Sequence, residues 1–221
     1  MEPLRGPVRV DVVFDAVCPW CFIGKRRLEQ AMRLRPDIPV VRRWRPFLLN
    51  PDMPLEGVGQ SDYLLRKFGN EARIKRVFGA VSDAGHSAHI AFAFDRIRKT
   101  PNTVHAHRLI RFAAGRDRAS EAVEALFVNH FINGKDIGDR DVLIRIGVLL
   151  GLVEEDLVAY LRSETDIDFI HQENVAAHRL GINAVPSFVF NGNLAISGAQ
   201  EPRVIARLLD VARESASMRI K

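Results

Sequence analysis

Only two cysteines occur in 221 residues, so no framework of structural disulfides holds this chain together. No stretch approaches the roughly 18 consecutive apolar residues of a membrane span. The opening Met1-Glu2-Pro3-Leu4-Arg5-Gly6-Pro7 lacks the apolar centre of a secretory leader. The expectation is a cytoplasmic protein with no membrane partner. Charge is not gathered by sign either. Lys and Arg number 32 against 27 Asp and Glu, a formal net charge of +5, but the basic residues are dispersed, and no nucleic-acid partner is expected. The densest basic group, Arg42-Arg43-Trp44-Arg45, lies between Val40-Val41 and Pro46-Phe47-Leu48-Leu49 and reads as strand with its basic residues on an exposed face. No metal set stands out. Two thiolates are too few for a closed zinc site, and His86 and His89 read as surface or capping residues. His105 and His107 point to different sides of a helix, and Asp136, Asp139 and Asp141 lack the calcium loop with its closing glutamate.

What is present is Cys18-Pro19-Trp20-Cys21, directly after the β-branched run Val8-Arg9-Val10-Asp11-Val12-Val13-Phe14 and before the helical Gly24 to Met32. Sulfurs at i and i+3 in a first helical turn lie on one side, close enough to alternate between dithiol and disulfide. The unpaired N–H groups and positive dipole end at a helix start favour a thiolate, most strongly at Cys18. Cys18 is therefore the expected nucleophile, and Cys21, one turn inward and less exposed, the resolving thiol. Lys25, Arg26 and Arg27 add positive charge nearby, on side chains read as turned to solvent. Trp20 reads as partly exposed beside the sulfur.

With 47% hydrophobic residues the chain can build a sizeable core. A second strand is expected from Ile38 to Leu49, then a Pro/Gly-rich boundary over residues 50–62. From about residue 61 to 165 the pattern turns helical, with a weak strand signal at Ile90 to Phe94. Helical stripes include Val104 to Phe112 behind Thr103, the set Val123, Leu126, Phe127 and Phe131, a segment ending at Gly151, and residues 154–162. A helix follows from Asp168 to Leu180. Asn191-Gly192 joins the runs Ser187 to Phe190 and Leu194 to Ile196 as a hairpin signal, and a helix closes the chain from Pro202. The order is β-α-β, helical insertion, α-β-β-α. The expected fold class is α/β, with residues 1–60 and 166–221 forming one domain around an inserted helical domain at 61–165.

That order, with the cysteine pair opening the first helix and Val185-Pro186 just before the third strand, resembles a thioredoxin-like fold interrupted by an α-helical insertion domain. The chain is similar to the DsbA superfamily, in particular the FrnE-like thiol-disulfide oxidoreductases. Those proteins are related to the 2-hydroxychromene-2-carboxylate isomerases and kappa-class glutathione transferases. The residues that carry the likeness are Asp15-Ala16-Val17-Cys18-Pro19-Trp20-Cys21, the Trp44 to Pro54 stretch, Pro101-Asn102-Thr103 with Ala106-His107-Arg108-Leu109, and Gly181 to Val189. The resemblance implies a cis-Pro186 facing the sulfurs, the backbone of Val185 free to pair with a bound partner, and Cys18 and Cys21 as catalytic residues. It adds Pro19, Trp20, Asn102 and His107 as substrate-binding candidates, although capping by Asn102 or Thr103 and a surface position for His107 are the readings the residues themselves favour.

Two departures stand out. The buried acid that many relatives carry six positions before the first cysteine is Val12 here, with Asp11 and Asp15 read as lying on the other face of the strand. Relatives that bind glutathione carry Ser-Asp after the last strand, where this chain reads Ser197-Gly198-Ala199-Gln200. The implied function is thiol-disulfide exchange with a protein or small molecule, without an organic cofactor or a metal, glutathione remaining open as co-substrate. A glutathione-dependent isomerase or transferase of aromatic substrates and a redox-inactive binding or chaperone protein are the alternatives. Monomer and homodimer both stay open.

Overall fold

A computed structural model describes residues 6–218. The first half runs β1 (Val8–Phe14), α1 (Pro19–Arg33), β2 (Val40–Pro46), β3 (Val58–Gly59), α2 (Gln60–Phe68), α3 (Glu71–Ser87), a short 3-10 turn (Phe94–Arg96) and β4 (Lys99–Thr100). The second half adds α4 (Val104–Ala114), α5 (Ala119–Phe131), α6 (Arg140–Leu149), α7 (Glu154–Arg162), α8 (Ile167–Arg179), β5 (Ser187–Phe190), β6 (Leu194–Ser197) and α9 (Pro202–Met218). This is the expected α/β, thioredoxin-like order.

The main sheet has the order β2-β1-β5-β6. β1 lies parallel to β2, with Val8 beside Val40 and Phe14 beside Pro46, and antiparallel to β5, with Val12 beside Phe188. The β5–β6 hairpin turns on Asn191 and Gly192, at φ 50° and 78°. Two successive positive φ angles are what a tight primed turn demands, and Asn-Gly adopts them at little cost. α1 and α9 pack together against the sheet. The apolar stripe of α5 meets them from the inserted segment: Phe127 stacks on Phe22 at 5.0 Å and meets Phe14 edge-on at 5.9 Å, joining inserted helices and sheet in one core.

Several expectations need correction. The second strand ends at Pro46, because past Phe47 the backbone leaves the ladder: the Leu48 N–H donates to the Asn174 side chain and the Leu49 N–H to Asp15. Residues 90–93 form no strand. Phe92 and Phe94 alternate inward to stack at 4.9 Å, and Gly85 leaves room for Phe92, where an added Cβ would lie 2.6 Å from the ring. Inward packing imitates the strand period, while the ladder in this part of the chain joins β3, which precedes these residues, to β4, which follows them. The basic residues of β2 do not share one exposed face. Arg42 reaches Glu29 of α1 at 3.3 Å and Arg45 reaches Glu173 of α8 at 2.7 Å, so the edge strand ties helices to both sides. Lys25 and Arg27 are buried rather than solvated. Lys25 bridges Glu29 and Glu124, and Arg27 donates to the Ala199 carbonyl at 2.6 Å. Their charges are spent on joining α1 to α5 and to the chain after β6.

Candidate active site

β1 stops at Phe14, and the chain turns at once, the Cys18 N–H donating to the Asp15 carbonyl at 3.1 Å. Cys18 is the N-cap of α1 with Pro19 in the first turn, where proline's missing N–H is no loss. The Cys18 carbonyl accepts from Cys21 and Phe22 at 3.0 and 3.3 Å. No side chain caps this end and the first turn holds no acid, so the Trp20 N–H, which has no acceptor among the described residues, and the positive end of the helix dipole are left to whatever stands at Cys18. Both thiols are free. Cys18 keeps 5% of its surface and Cys21 only 2%, the order expected from one turn of helix. Burial pushes the Cys21 thiol well above its usual pKa, and the neighbouring Cys18 sulfur adds to the shift through hydrogen bonding and charge. Cys21 is a neutral thiol at physiological pH.

The Cys18 sulfur lies 3.7 Å from the Val185 carbonyl, donating to it. The Val185–Pro186 peptide bond is cis. Its loop is fastened by the Gly198 N–H on the Pro186 carbonyl at 2.7 Å and by the Ser187 hydroxyl, which donates to the Ala184 carbonyl at 2.7 Å and meets Ser197 at 2.8 Å. Gly24 lets α1 come close, since a Cβ there would lie 2.7 Å from the Pro186 ring. Among the described residues the Val185 N–H has no acceptor.

A cleft of about 410 Å³ opens over Cys18, Pro19, Trp20 and Val185. Its roof comes from Leu64 and Phe68 of α2 and Phe78 of α3, joined by Phe94 of the 3-10 turn and Phe131 at the end of α5. Among the described residues Lys67 is the one lysine or arginine in the lining, its ammonium 2.8 Å from the Tyr63 hydroxyl. Trp20 is 38% exposed at the rim. Cys21 lies behind Cys18, and Pro186 packs behind Val185 on Gly24.

Two expected binding residues are elsewhere. Asn102 does not line the cleft: its amide donates to the Met53 carbonyl at 2.7 Å and its oxygen accepts from the Val104 N–H at 2.9 Å, so it caps α4 and anchors the 50–54 turn. His107 is neither in the cleft nor on the surface. It is 2% exposed, packs edge-on against Phe14 at 5.2 Å, and sets Nε2 3.6 Å from an Asp15 oxygen. Asp15 is likewise misread as a strand residue facing away. It follows the last residue of β1, escapes the strand alternation, and is fully buried with its backbone N–H on the Cys21 sulfur.

His130 is a cleft residue outside the sequence-based candidates. It extends the α5 stripe at the next helical repeat from Val123, which was the available signal. Its ring lines the cleft, Nδ1 sits 3.3 Å from the Lys135 carbonyl, and burial lowers its pKa to about 4. His105 is lowered to about 4 as well, by burial and by the adjacent Arg140 and Arg108. An unfolded histidine binds its proton near 6.5, so the unfolded state holds more protons between 6.5 and 4, and stability is lost as pH falls through that window. Urea unfolding is expected to show a loss of about 4–7 kcal/mol over this range, roughly halved in His130→Gln. A free energy independent of pH there would refute it. Among the described residues no His, Cys, Asp and Glu cluster could hold a metal ion, and no helix is long and apolar enough to cross a membrane.

Comparison with known proteins agrees with this architecture. A probable DsbA oxidoreductase from Streptomyces coelicolor superposes with a TM-score of 0.82 at 26% identity, over 93% of this chain and 89% of that one. YwbO of Bacillus subtilis is 26% identical over 193 residues, 87% of this chain and 90% of YwbO. A 2-hydroxychromene-2-carboxylate isomerase shares the fold alone, with a TM-score of 0.69 at 13% identity, covering 95% and 98% of the two chains. The family model of the DSBA-like thioredoxin domain matches residues 9–210. The chain belongs to the DSBA-like thioredoxin domain family.

Proposed function

We propose that this protein is a thiol-disulfide oxidoreductase in which Cys18 attacks and Cys21 resolves. The observation that carries this reading is the asymmetry of the two free thiols. One caps a helix at the floor of a cleft, and the other is buried behind it and held neutral. The outer sulfur meets the partner first; the inner one reacts only after a mixed disulfide has formed. In the reducing direction, the Cys18 thiolate displaces one sulfur of a substrate disulfide. The Cys21 sulfur, giving up its proton, then bonds to Cys18 and expels the second. The substrate gains two electrons, the dithiol loses two, and no organic cofactor or metal is needed. Val185 offers its free N–H to the backbone or amide of the bound partner, with Pro186 holding that loop against Gly24. Pro19 and Trp20 form the near wall. Thiol- or disulfide-bearing proteins and small molecules are the partners proposed, with glutathione as a candidate co-substrate and the cytoplasm, where a lone Cys-x-x-Cys serves catalysis, as the compartment.

Cys21→Ser tests the division of labour. It is expected to accumulate mixed disulfides on Cys18, seen as dithiothreitol-sensitive adducts by non-reducing electrophoresis and mass spectrometry. A variant that traps nothing under oxidising conditions would overturn it. The isomerase-like fold neighbour gives the competing outcome a definite form: glutathione-dependent turnover of a chromene-type substrate that survives Cys21→Ser.

A further inference from the structure

Two buried polar atoms beside the dithiol have no hydrogen-bond partner among the described residues: Asp15 Oδ1 and His107 Nε2. They face each other at 3.6 Å, each side chain 1% exposed. The other Asp15 oxygen is committed, accepting from the Leu49 N–H at 2.8 Å. An unpaired carboxylate oxygen sealed in a core is costly, and a sequence free to vary could replace it with an apolar group. Each member also touches something further. Asp15 places its backbone N–H on the Cys21 sulfur and its carboxylate charge acts on that thiol. His107 lines a second pocket of about 270 Å³, separate from the apolar cleft and walled by β2, α4 and α8.

Resolution by Cys21 releases a proton from a thiol that is almost wholly enclosed, while the cleft in front of it is filled by the partner. We propose that the Asp15–His107 pair conducts this proton between Cys21 and the second pocket, so that the buried thiol exchanges protons through a different opening from the one that admits substrate. This rests on the dithiol reading. As the Cys21 sulfur bonds to Cys18 and the substrate thiolate departs, its proton passes to the Asp15 carboxylate, on to His107, and out into the pocket. In the opposite direction the path returns a proton to the leaving Cys21 thiolate. Facing the pair are Cys21 of α1 and His130 of α5. Across the second pocket stand Arg42, Arg43 and Arg45 of β2, Arg111 of α4 and Glu173 of α8. Arg42, Arg45 and Arg111 are paired with Glu29, Glu173 and Asp166, which leaves the mouth of the path less strongly cationic than its residue types suggest.

The test is stopped-flow reaction of the reduced protein with equimolar dithiodipyridine. The first thiopyridone reports attack by Cys18 and the second reports resolution by Cys21. Asp15→Asn keeps an acceptor for Leu49, and His107→Gln leaves that bond untouched, so the second variant decides if the first does not fold. In both, resolution relative to attack is expected to slow about tenfold to a hundredfold at neutral pH, the gap closing as hydroxide takes over at higher pH. Resolution-to-attack ratios within about twofold of the parent at every pH would overturn the relay, as would a slowing that does not change with pH, which marks displaced sulfurs instead. A parent that releases one thiopyridone and forms no Cys18–Cys21 bond would overturn the dithiol reading itself.

Discussion

Serine at position 18 is expected to reduce the dithiothreitol-driven reduction of insulin to its uncatalysed background while leaving the protein at least as stable as before. The two halves of this result follow from the same atom. An alcohol at the head of α1 cannot exchange with a disulfide, so the reaction loses its first covalent step. Structurally the exchange is mild. Cys18 is an N-cap whose side chain makes no capping hydrogen bond, and serine is among the residues preferred there, worth up to about 1 kcal/mol. Turbidity measurements and a thermal melt on one sample separate the two effects. Retained reduction would remove Cys18 from the mechanism, and a collapse of the melting temperature would show that its sulfur holds the loop rather than reacting.

The largest loss of stability is expected far from the dithiol, at Arg108. Its side chain is fully buried, and its guanidinium donates to the carbonyls of Thr165, Leu161 and Ser163 at 2.7, 3.2 and 2.9 Å and to that of Tyr160, with His105 Nδ1 at 3.0 Å. One side chain thus satisfies the carbonyls left over where α7 ends and the chain turns into α8. Arg108→Met keeps much of the volume but takes the donor away from these partly buried carbonyls, of which Tyr160's keeps the Ser163 hydroxyl at 2.8 Å. A cost of about 3–5 kcal/mol is expected, and a melting temperature lower by roughly 6–20 °C for a chain of this size. Losing less than about 1 kcal/mol in chemical denaturation would mean that water or a shifted helix end replaces the guanidinium.

How much could be read in the sequence follows from how local each signal is. The Cys-x-x-Cys spacing, the β-branched run before it and Asn191-Gly192 each depend on neighbours within a few residues, and the elements they predict are present. Phe92 and Phe94 misled because a period of two marks alternate burial, which needs no ladder. Asp15 and His107 stand out in the sequence, but their placement does not follow from it, for the opposite reason. Their meaning lies in a meeting across 92 positions, and one residue past a strand end the face rule no longer holds. Which of the inserted helices roofs the cleft was equally hidden: Tyr63, Leu64 and Phe68 are only partly buried, and nothing in α2 alone tells a covering helix from a surface one.

The register of β1 carries a consequence for how the molecule is made. Its pairing with β2 joins residues 32 apart, Val12 to Trp44, whereas its other edge waits for Phe188, 176 positions later. Contacts so distant in sequence come late in folding, and on the ribosome the second cannot exist until synthesis has passed Phe188. The reactive sulfurs therefore emerge on a half-built scaffold, open along one side, and acquire their proline-bearing wall among the last steps of assembly.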